Sequence, residues 1–120
     1  MSKTLYERLG GIDGITRLVD DAVDAHFANP LIKTRFEKTL DVEHAKRMSV
    51  MFFCAGSGGP QTYTGRDMVT THKGMNISEQ EFIAVVDDIL LAMDKNNLGD
   101  DVKKDVLAIL YSLKSQIIRV

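Results

Sequence analysis

Residues 58–77 read GGPQTYTGRDMVTTHKGMNI, and this stretch interrupts a chain whose pattern is otherwise strongly helical. A Gly-Gly-Pro break at 58–60 and a Tyr-Thr-Gly turn at 63–65 precede one short helical turn, which leads to His72. An irregular connection of about 20 residues is uncommon in a compact domain and usually serves a function. The stretch therefore predicts a glycine-hinged segment that presents a single imidazole between packed helices.

The spacing of apolar residues on either side of this segment predicts four long helices. They cover about residues 12–28, 42–55, 79–95 and 102–117. Asp41 is the predicted N-cap of the second helix, and Gly56 is its predicted stop. Ser78 and Glu81 fit a capping box for the third helix. Residues 30–40 are predicted to be irregular, and no alternating strand pattern occurs, so the sequence predicts an all-α fold.

The composition is that of an ordinary globular domain and argues against several classes of protein. A chain of 120 residues with 44% hydrophobic residues predicts a single domain spanning 1–120. The net charge of -2 argues against a nucleic-acid binder, and no apolar run approaches the roughly 20 residues of a membrane span. Cys54 is the single cysteine and cannot form an internal disulfide. The N-terminus is too polar for a secretory signal, so a cytoplasmic protein is expected.

Two segments give the chain a family resemblance. The N-terminal LYERLGG at 5–11 is similar to the start of the group I truncated haemoglobins, and residues 58–77 resemble the proximal region of that family. The similarity extends from Leu5 to about Ile117. It implies a truncated globin, a two-over-two helical sandwich around one haem b whose iron is bound by His72. A proximal histidine of this kind donates its other ring N–H to a backbone carbonyl or a hydroxyl.

The resemblance also implies which side chains surround the haem. Apolar and aromatic residues would line the pocket, namely Phe36, Phe52, Phe53, Tyr63, Met68, Phe82 and Val86. Lys46 and Arg66 would pair with the haem propionates, because cationic side chains at a pocket rim suit carboxylates. Simpler roles stay open to all of these residues, since apolar side chains at helical spacing form ordinary cores and surface cations are usually solvated.

The distal side departs from the family pattern. Many relatives hold oxygen with a distal tyrosine and with glutamines, but the corresponding positions here are Val23, Ala45 and Ser49. Valine and alanine cannot donate a hydrogen bond from their side chains, and serine reaches only a short distance. We therefore expect fast oxygen release and a raised preference for carbon monoxide, which is less polar and depends less on a donor.

An internal sixth ligand is a competing interpretation of the distal side. One helical face carries Ala45, Met48, Ser49 and Phe52. Met48 falls where some cyanobacterial relatives place an iron-binding histidine, and His44, four residues earlier, is a second candidate. Otherwise Met48 fills the core and His44 lies partly exposed in the first helical turn. His26 is expected at solvent or at a rim, and the last helix has no histidine for the covalent haem attachment that some relatives show.

The function that the resemblance implies is reversible binding of oxygen, carbon monoxide or nitric oxide, of the oxygen-transport type. The alternatives are a nitric oxide dioxygenase or peroxidase-like enzyme, served by a reductase, and a haem redox or electron-transfer protein. A donor-poor distal side argues against the enzymatic chemistries. His72, Phe36 and the Phe52-Phe53 pair argue against a helical interaction module without haem. No nucleic-acid or membrane partner is expected, and the chain is predicted to be a monomer or a weak homodimer.

Overall fold

Eight helices and one isolated bridge make up the secondary structure of residues 3–38 and 41–120, the part of the chain that the computed structural model describes. The bridge pairs Ile77 with Ile118 in parallel. The predictions that concern Thr39 and Leu40 lie outside the described residues. The all-α prediction is confirmed. In chain order the helices are α1 (Leu5–Arg8), α2 (Gly11–Ala28), α3 (Lys33–Glu37), α4 (Val42–Gly56), α5 (Met68–His72), α6 (Glu79–Lys95), α7 (Asp100–Ser112) and α8 (Lys114–Ile117).

Local side-chain chemistry sets the predicted helix starts. The Asp41 carboxylate accepts a hydrogen bond from the backbone N–H of His44 at 3.0 Å, which satisfies an otherwise unpaired donor at the start of α4. Ser78 and Glu81 form the predicted capping box of α6, and both of its hydrogen bonds measure 3.1 Å. At its other end α4 includes Gly56, one position beyond the prediction.

Three parts of the helical pattern depart from the prediction. α1 has only four residues and shows no apolar period, although Thr4 and Glu7 form a capping box that signals it. α3 lies inside the segment predicted to be irregular, because its five residues, KTRFE, are fixed by contacts with distant parts of the chain. The last predicted helix is broken at Leu113, since the Ser112 hydroxyl donates to the Ile109 carbonyl at 2.5 Å and competes with the helical ladder.

α2 is the central helix of the core. It packs most extensively against α6 and α4, and it also contacts α1 and α3. Ile15 and Leu18 of α2 and Met93 of α6 are fully buried in the shared core. α5 packs instead against α8. None of the described helices is both long and apolar enough to cross a bilayer.

Two helical glycines allow a matched test of this packing. A Cβ atom on Gly14 of α2 would collide with the backbone carbonyl of Leu9, whereas a Cβ atom on Gly56 would meet nothing within 4 Å. We expect Gly14→Ala to lower the free energy of unfolding by about 1–3 kcal/mol, because backbone yields less than a flexible side chain. Gly56→Ala should raise it by roughly 0.5–1 kcal/mol through lower entropy of the unfolded chain. Urea unfolding measures both changes, and changes of the same sign would contradict this account.

Candidate functional site

α5 is a short helix whose last residue is His72. Its start is fixed by Asp67, whose carboxylate accepts a hydrogen bond from the backbone N–H of Thr70 at 2.7 Å. The chain turns away after the helix at Gly74, where φ is +85°, a conformation that residues with a side chain rarely adopt. These two features place the half-buried imidazole of His72 at the junction between a helix end and a turn.

The His72 imidazole is oriented by its own helix. Its Nδ1 atom lies 2.8 Å from the backbone carbonyl oxygen of Met68. Because a carbonyl oxygen can only accept, Nδ1 donates the hydrogen bond, which makes Nε2 the ring nitrogen available to bind a metal. The expectation of a carbonyl or hydroxyl partner is therefore confirmed. A hydrogen bond of this kind fixes both the tautomer and the ring direction, as a metal-binding imidazole requires.

α4 is attached to the irregular segment that leads to α5. The rings of Phe52 and Tyr63 meet edge to face, with centroids 5.2 Å apart and 83° between their planes. The Tyr63 hydroxyl donates to the carbonyl of Arg66 at 2.6 Å, which fixes the backbone just before α5. Met48 and Ser49, on the same face of α4 as Phe52, are half-buried. This face of α4 is therefore joined to the segment that carries the oriented imidazole.

Five other residues predicted to line the haem pocket differ in how far they are buried. Phe82 and Val86 are buried on α6, and Val23 is half-buried on α2 against the core. Met68 of α5 is half-buried, and Ala45 of α4 is exposed. Contact of any of these residues with haem stays a prediction.

Phe53 packs against the buried helical core. Together with Phe52 it also lines an apolar cavity between α1, α4 and α7, whose other walls include Leu5, Leu9 and Val106. The simpler role of a core residue, which the sequence left open, accounts for these contacts. Contact of Phe53 with haem stays a prediction.

The two predicted propionate partners have different surroundings. Lys46 Nζ lies 3.4 Å from a carboxylate oxygen of Asp20 on α2 and 3.7 Å from one of Glu43 on α4. A propionate contact would require this ammonium to share or exchange those partners. Arg66 has an exposed side chain in the segment before α5. Both propionate contacts stay predictions.

The two candidate sixth ligands also differ in depth. His44 is exposed in the first turn of α4, which confirms the expected position of this residue. Met48 lies one turn later on the same helix and is half-buried. Burial favours Met48 over His44 as a ligand from α4, and ligation by either residue stays a prediction.

The expectation that His26 faces solvent or a rim is wrong. Its side chain is buried, and its Nδ1 lies 2.8 Å from Oδ2 of Asp88 on α6, which is buried as well. The side-chain amide of Asn29 lies 3.2 Å from both carboxylate oxygens of Asp88. Asp88 thus supplies the partner that a polar ring needs in order to leave water. The sequence contains one signal for this buried pair. Asp88 directly precedes Ile89, which belongs to the apolar stripe of α6.

Phe36 packs on this buried pair. Its ring stacks on the imidazole of His26, with centroids 4.7 Å apart and 20° between the planes. The ring of Phe27 lies 6.2 Å away at a tilt. These contacts attach α3 to α2, and they give Phe36 a fixed position whether or not it touches haem.

Burial of His26 gives stability a pH dependence of known sign. Desolvation lowers the pKa of His26 below 6.5, although its hydrogen bond to Asp88 acts in the opposite direction. The unfolded chain therefore takes up a proton that the folded chain resists, so the free energy of unfolding falls as the pH drops from 6.5 through the folded-state pKa. We expect His26→Gln to flatten this slope and His44→Gln, at an exposed site, to leave it unchanged. Urea unfolding between about pH 5 and 7.5 measures the slopes, and an unaltered slope in the His26 variant would refute the assignment.

The chemistry of the donor set fits a haem. A single oriented imidazole is the ligand that the protein contributes to a haem iron held by a proximal histidine. Across residues 3–38 and 41–120, no group of three or more His, Cys, Asp or Glu side chains is arranged to hold a metal ion directly.

Sequence comparisons match nearly the whole chain to globins. A family model described as bacterial-like globin matches residues 4–119. The chain is 32% identical to a group 1 truncated haemoglobin of Synechocystis over 113 residues, which cover 88% of each chain. It is 25% identical to the group 1 truncated haemoglobin of Tetrahymena pyriformis over 116 residues, which cover 97% of this chain and 95% of the relative.

Solved structures share the fold over the same extent. The ferric truncated haemoglobin of Tetrahymena pyriformis has a TM-score of 0.94 at 24% identity, covering 98% of this chain and 100% of that one. A group II truncated haemoglobin of Bacillus anthracis has a TM-score of 0.88 at 22% identity, covering 100% and 94%. A 2/2 haemoglobin of Synechococcus, in the cyanomet state with covalently attached haem, has a TM-score of 0.84 at 23% identity, covering 95% of each. The helices described above therefore adopt the two-over-two arrangement.

Proposed function

Because the chain belongs to the bacterial-like globin family and is similar to group 1 truncated haemoglobins, we propose that it holds one haem b on His72 and reversibly binds diatomic gases. The observation that carries the proposal is the imidazole orientation, with Nδ1 2.8 Å from the Met68 carbonyl. An Nε2 lone pair on a ring that is already fixed is what a proximal iron ligand needs, because little conformational freedom is lost on binding.

The chain's own residues have separate tasks in this proposal. His72 would hold the iron through Nε2. A ferrous haem supplies the further coordination position at which oxygen, carbon monoxide or nitric oxide binds. Phe82 and Val86, which are buried on α6, exclude water from the pocket, as do Met48 and Phe52 on α4. Water exclusion preserves the reduced state that gas binding requires.

The histidine positions support haem held without a covalent link. The three histidines of the chain are His26, His44 and His72, and none lies in α7 or α8. Truncated haemoglobins that attach haem covalently use a histidine of the last helix, according to the family pattern. Extraction into acidified butanone should therefore release the haem from this chain, and a haem that stays with the protein would contradict the assignment as haem b.

The distal residues favour ligand exchange over oxidation chemistry. Val23 and Ala45 have no side-chain donor, and Ser49 has a short one. Oxygen accepts hydrogen bonds better than carbon monoxide does, so a pocket poor in donors releases oxygen faster and discriminates less against carbon monoxide. The same scarcity of donors disfavours a nitric oxide dioxygenase, which depends on retained oxygen and on a reductase.

Two cationic side chains, those of Arg66 and Lys46, are the candidate partners of the haem propionates. Arg66, in the exposed segment before α5, is the stronger candidate because its guanidinium can bind a carboxylate in a bidentate manner. Lys46 binds Asp20 and Glu43 and would act as a shared partner. Neutral variants of each cation should raise the rate of haem loss, with the larger change at Arg66.

The first experiment is the absorption spectrum of the purified protein, ferric and then ferrous, each with and without carbon monoxide. A five-coordinate ferrous spectrum that changes on addition of carbon monoxide is expected. A six-coordinate low-spin spectrum in both oxidation states would indicate an internal ligand, and Met48→Leu with His44→Ala would then identify it. No haem band after reconstitution with hemin would refute the proposal.

A further inference from the structure

The short helix α3 carries two neighbouring residues with contacts to different parts of the fold. Phe36 stacks on His26 of α2, as described above. Arg35 extends instead towards α6 and towards the turn that follows His72. α3 therefore bridges the central helix and the segment that carries the proposed iron ligand.

Arg35 makes a bidentate ion pair with one carboxylate and a further hydrogen bond to backbone. Its Nε donates to Oε2 of Glu81 at 2.7 Å, and its Nη2 donates to Oε1 of the same residue at 3.1 Å. Its Nη1 donates to the carbonyl oxygen of Met75 at 2.7 Å. The two side chains of the ion pair are 31% and 17% exposed, so water competes only in part for these bonds.

The same bonds lead directly to the backbone of His72. Met75 accepts from Arg35 through its carbonyl and donates its own N–H to the carbonyl of His72 at 3.0 Å. The residues on either side of Met75 have positive φ values, +85° at Gly74 and +51° at Asn76. Glycine and asparagine adopt this conformation readily, so local chemistry forms the turn. Its position in the fold is set by bonds to other segments, namely the bond from Arg35 and those to the C-terminal residues Arg119 and Val120.

Both carboxylate oxygens of Glu81 accept hydrogen bonds. Its Oε1 also accepts the backbone N–H of Ser78, which completes the capping box of α6. The hydrogen bond from Arg35 is the largest cause that lowers the pKa of Glu81, so the carboxylate stays ionised at neutral pH. The guanidinium is thereby tied to the start of a long, buried helix.

We propose that Arg35 is a positioning residue for the iron ligand: through Glu81 and the Met75 carbonyl it fixes the turn after α5 and so sets the placement of the His72 ring. This inference rests on the proposed haem function. It adds that one side chain, Arg35, connects two parts of the proposed site. These are α3, which carries Phe36, and the turn that follows His72 of α5. Loss of Arg35 should therefore alter the iron–histidine bond as well as stability.

The chain offers a matched control in Arg8. Its guanidinium pairs with two carboxylates of α7, those of Asp101 and Asp105, and its side chain is 28% exposed. Arg8→Gln therefore removes the same charge and a comparable set of interhelical bonds, but from α1 and α7. Arg35→Gln removes them from α3, α6 and the turn after α5.

The decisive measurement is the iron–histidine stretching band in the resonance Raman spectrum of the ferrous protein. We expect Arg35→Gln to shift or broaden this band and to speed haem dissociation roughly tenfold, because charge-assisted hydrogen bonds are lost. Arg8→Gln should leave the band at the wild-type position. Arg35→Lys restores the charge without the bidentate geometry, so the band should stay altered.

Amide hydrogen exchange of the apoprotein gives a second readout that needs no haem. Residues 73–77 should lose protection in Arg35→Gln and keep it in Arg8→Gln. If Arg35→Gln does not fold, Glu81→Gln serves in its place, because glutamine preserves the capping box and removes the ion pair. Unchanged bands and unchanged protection in these variants, with a normal wild-type band, would overturn the inference alone. A wild-type protein that takes up haem in a five-coordinate ferrous form but shows no iron–histidine band would instead overturn the proposed function.

Discussion

Replacing His72 with glycine is expected to abolish the bond between protein and iron, and added imidazole is expected to restore it. His72 is the last residue of α5, and its side-chain partner within the chain is the Met68 carbonyl. Removing the ring therefore leaves the helix cap at Asp67 intact while it deletes the donor atom. Haem affinity should fall by more than roughly 100-fold, since even the loss of an outer-shell partner costs 10- to 100-fold in metal affinity.

Titration of His72→Gly with hemin, with and without imidazole, measures this effect. His44→Gly is the comparison variant, because His44 is exposed in the first turn of α4 and is only a candidate sixth ligand, so its loss should lower haem affinity far less than the loss of His72. Equal haem affinity in His72→Gly and the wild-type protein would show that another residue binds the iron. A loss that imidazole cannot restore would point to a structural defect rather than to a missing ligand.

Introducing a donor at Val23 should slow oxygen release strongly. Val23 is half-buried on α2, and the family resemblance aligns it with the distal tyrosine of many relatives. In Val23→Tyr the phenolic O–H can donate to oxygen inside a dry pocket, and a hydrogen bond to a charged or strongly polar group stabilises by about 1.5–3 kcal/mol. We therefore expect oxygen dissociation to slow by roughly 10- to 100-fold, and carbon monoxide dissociation to change much less.

Val23→Phe separates the donor from the volume of the new ring. It has almost the same size as Val23→Tyr and lacks only the hydroxyl, so its oxygen dissociation should stay close to the wild-type rate. Stopped-flow mixing of the oxygenated proteins with carbon monoxide measures all three rates. Equal rates in the two variants would mean that the hydroxyl does not reach the gas. A wild-type rate as slow as that of a tyrosine-bearing relative would contradict a donor-poor pocket.

The parts of the fold that the sequence predicts well are those governed by local chemistry. Asp41 and Ser78 cap the helices that they were expected to cap, because a side chain and a backbone N–H three residues later decide that structure. α3 and the break at Leu113 were missed for opposite reasons. α3 depends on contacts with distant residues, and the break depends on one serine hydroxyl that an apolar period does not register.

In the candidate site, too, features set by nearby residues could be predicted, and features set by distant residues could not. For His72 the sequence predicts a carbonyl or hydroxyl partner without choosing between them, and the structure gives the carbonyl of Met68, four residues earlier on the same helix. The pairing of His26 with Asp88 joins positions 62 residues apart, and the bond from Arg35 to Met75 spans 40. No periodicity connects residues at such separations, so only the folded chain brings these partners together.

Glu81 gives the chain a genetic constraint. Its carboxylate completes the capping box with Ser78 and also binds Arg35, so the start of α6 and the attachment of α3 both depend on this one residue. A substitution at Glu81 that can form neither contact, such as Glu81→Ala, weakens the start of α6 and the attachment of α3 together. A later change at Ser78 or Arg35 then removes contacts that are already lost and should have a smaller effect. Mutations at these three positions should therefore show epistasis, and lineages that replace one of them should replace the others together.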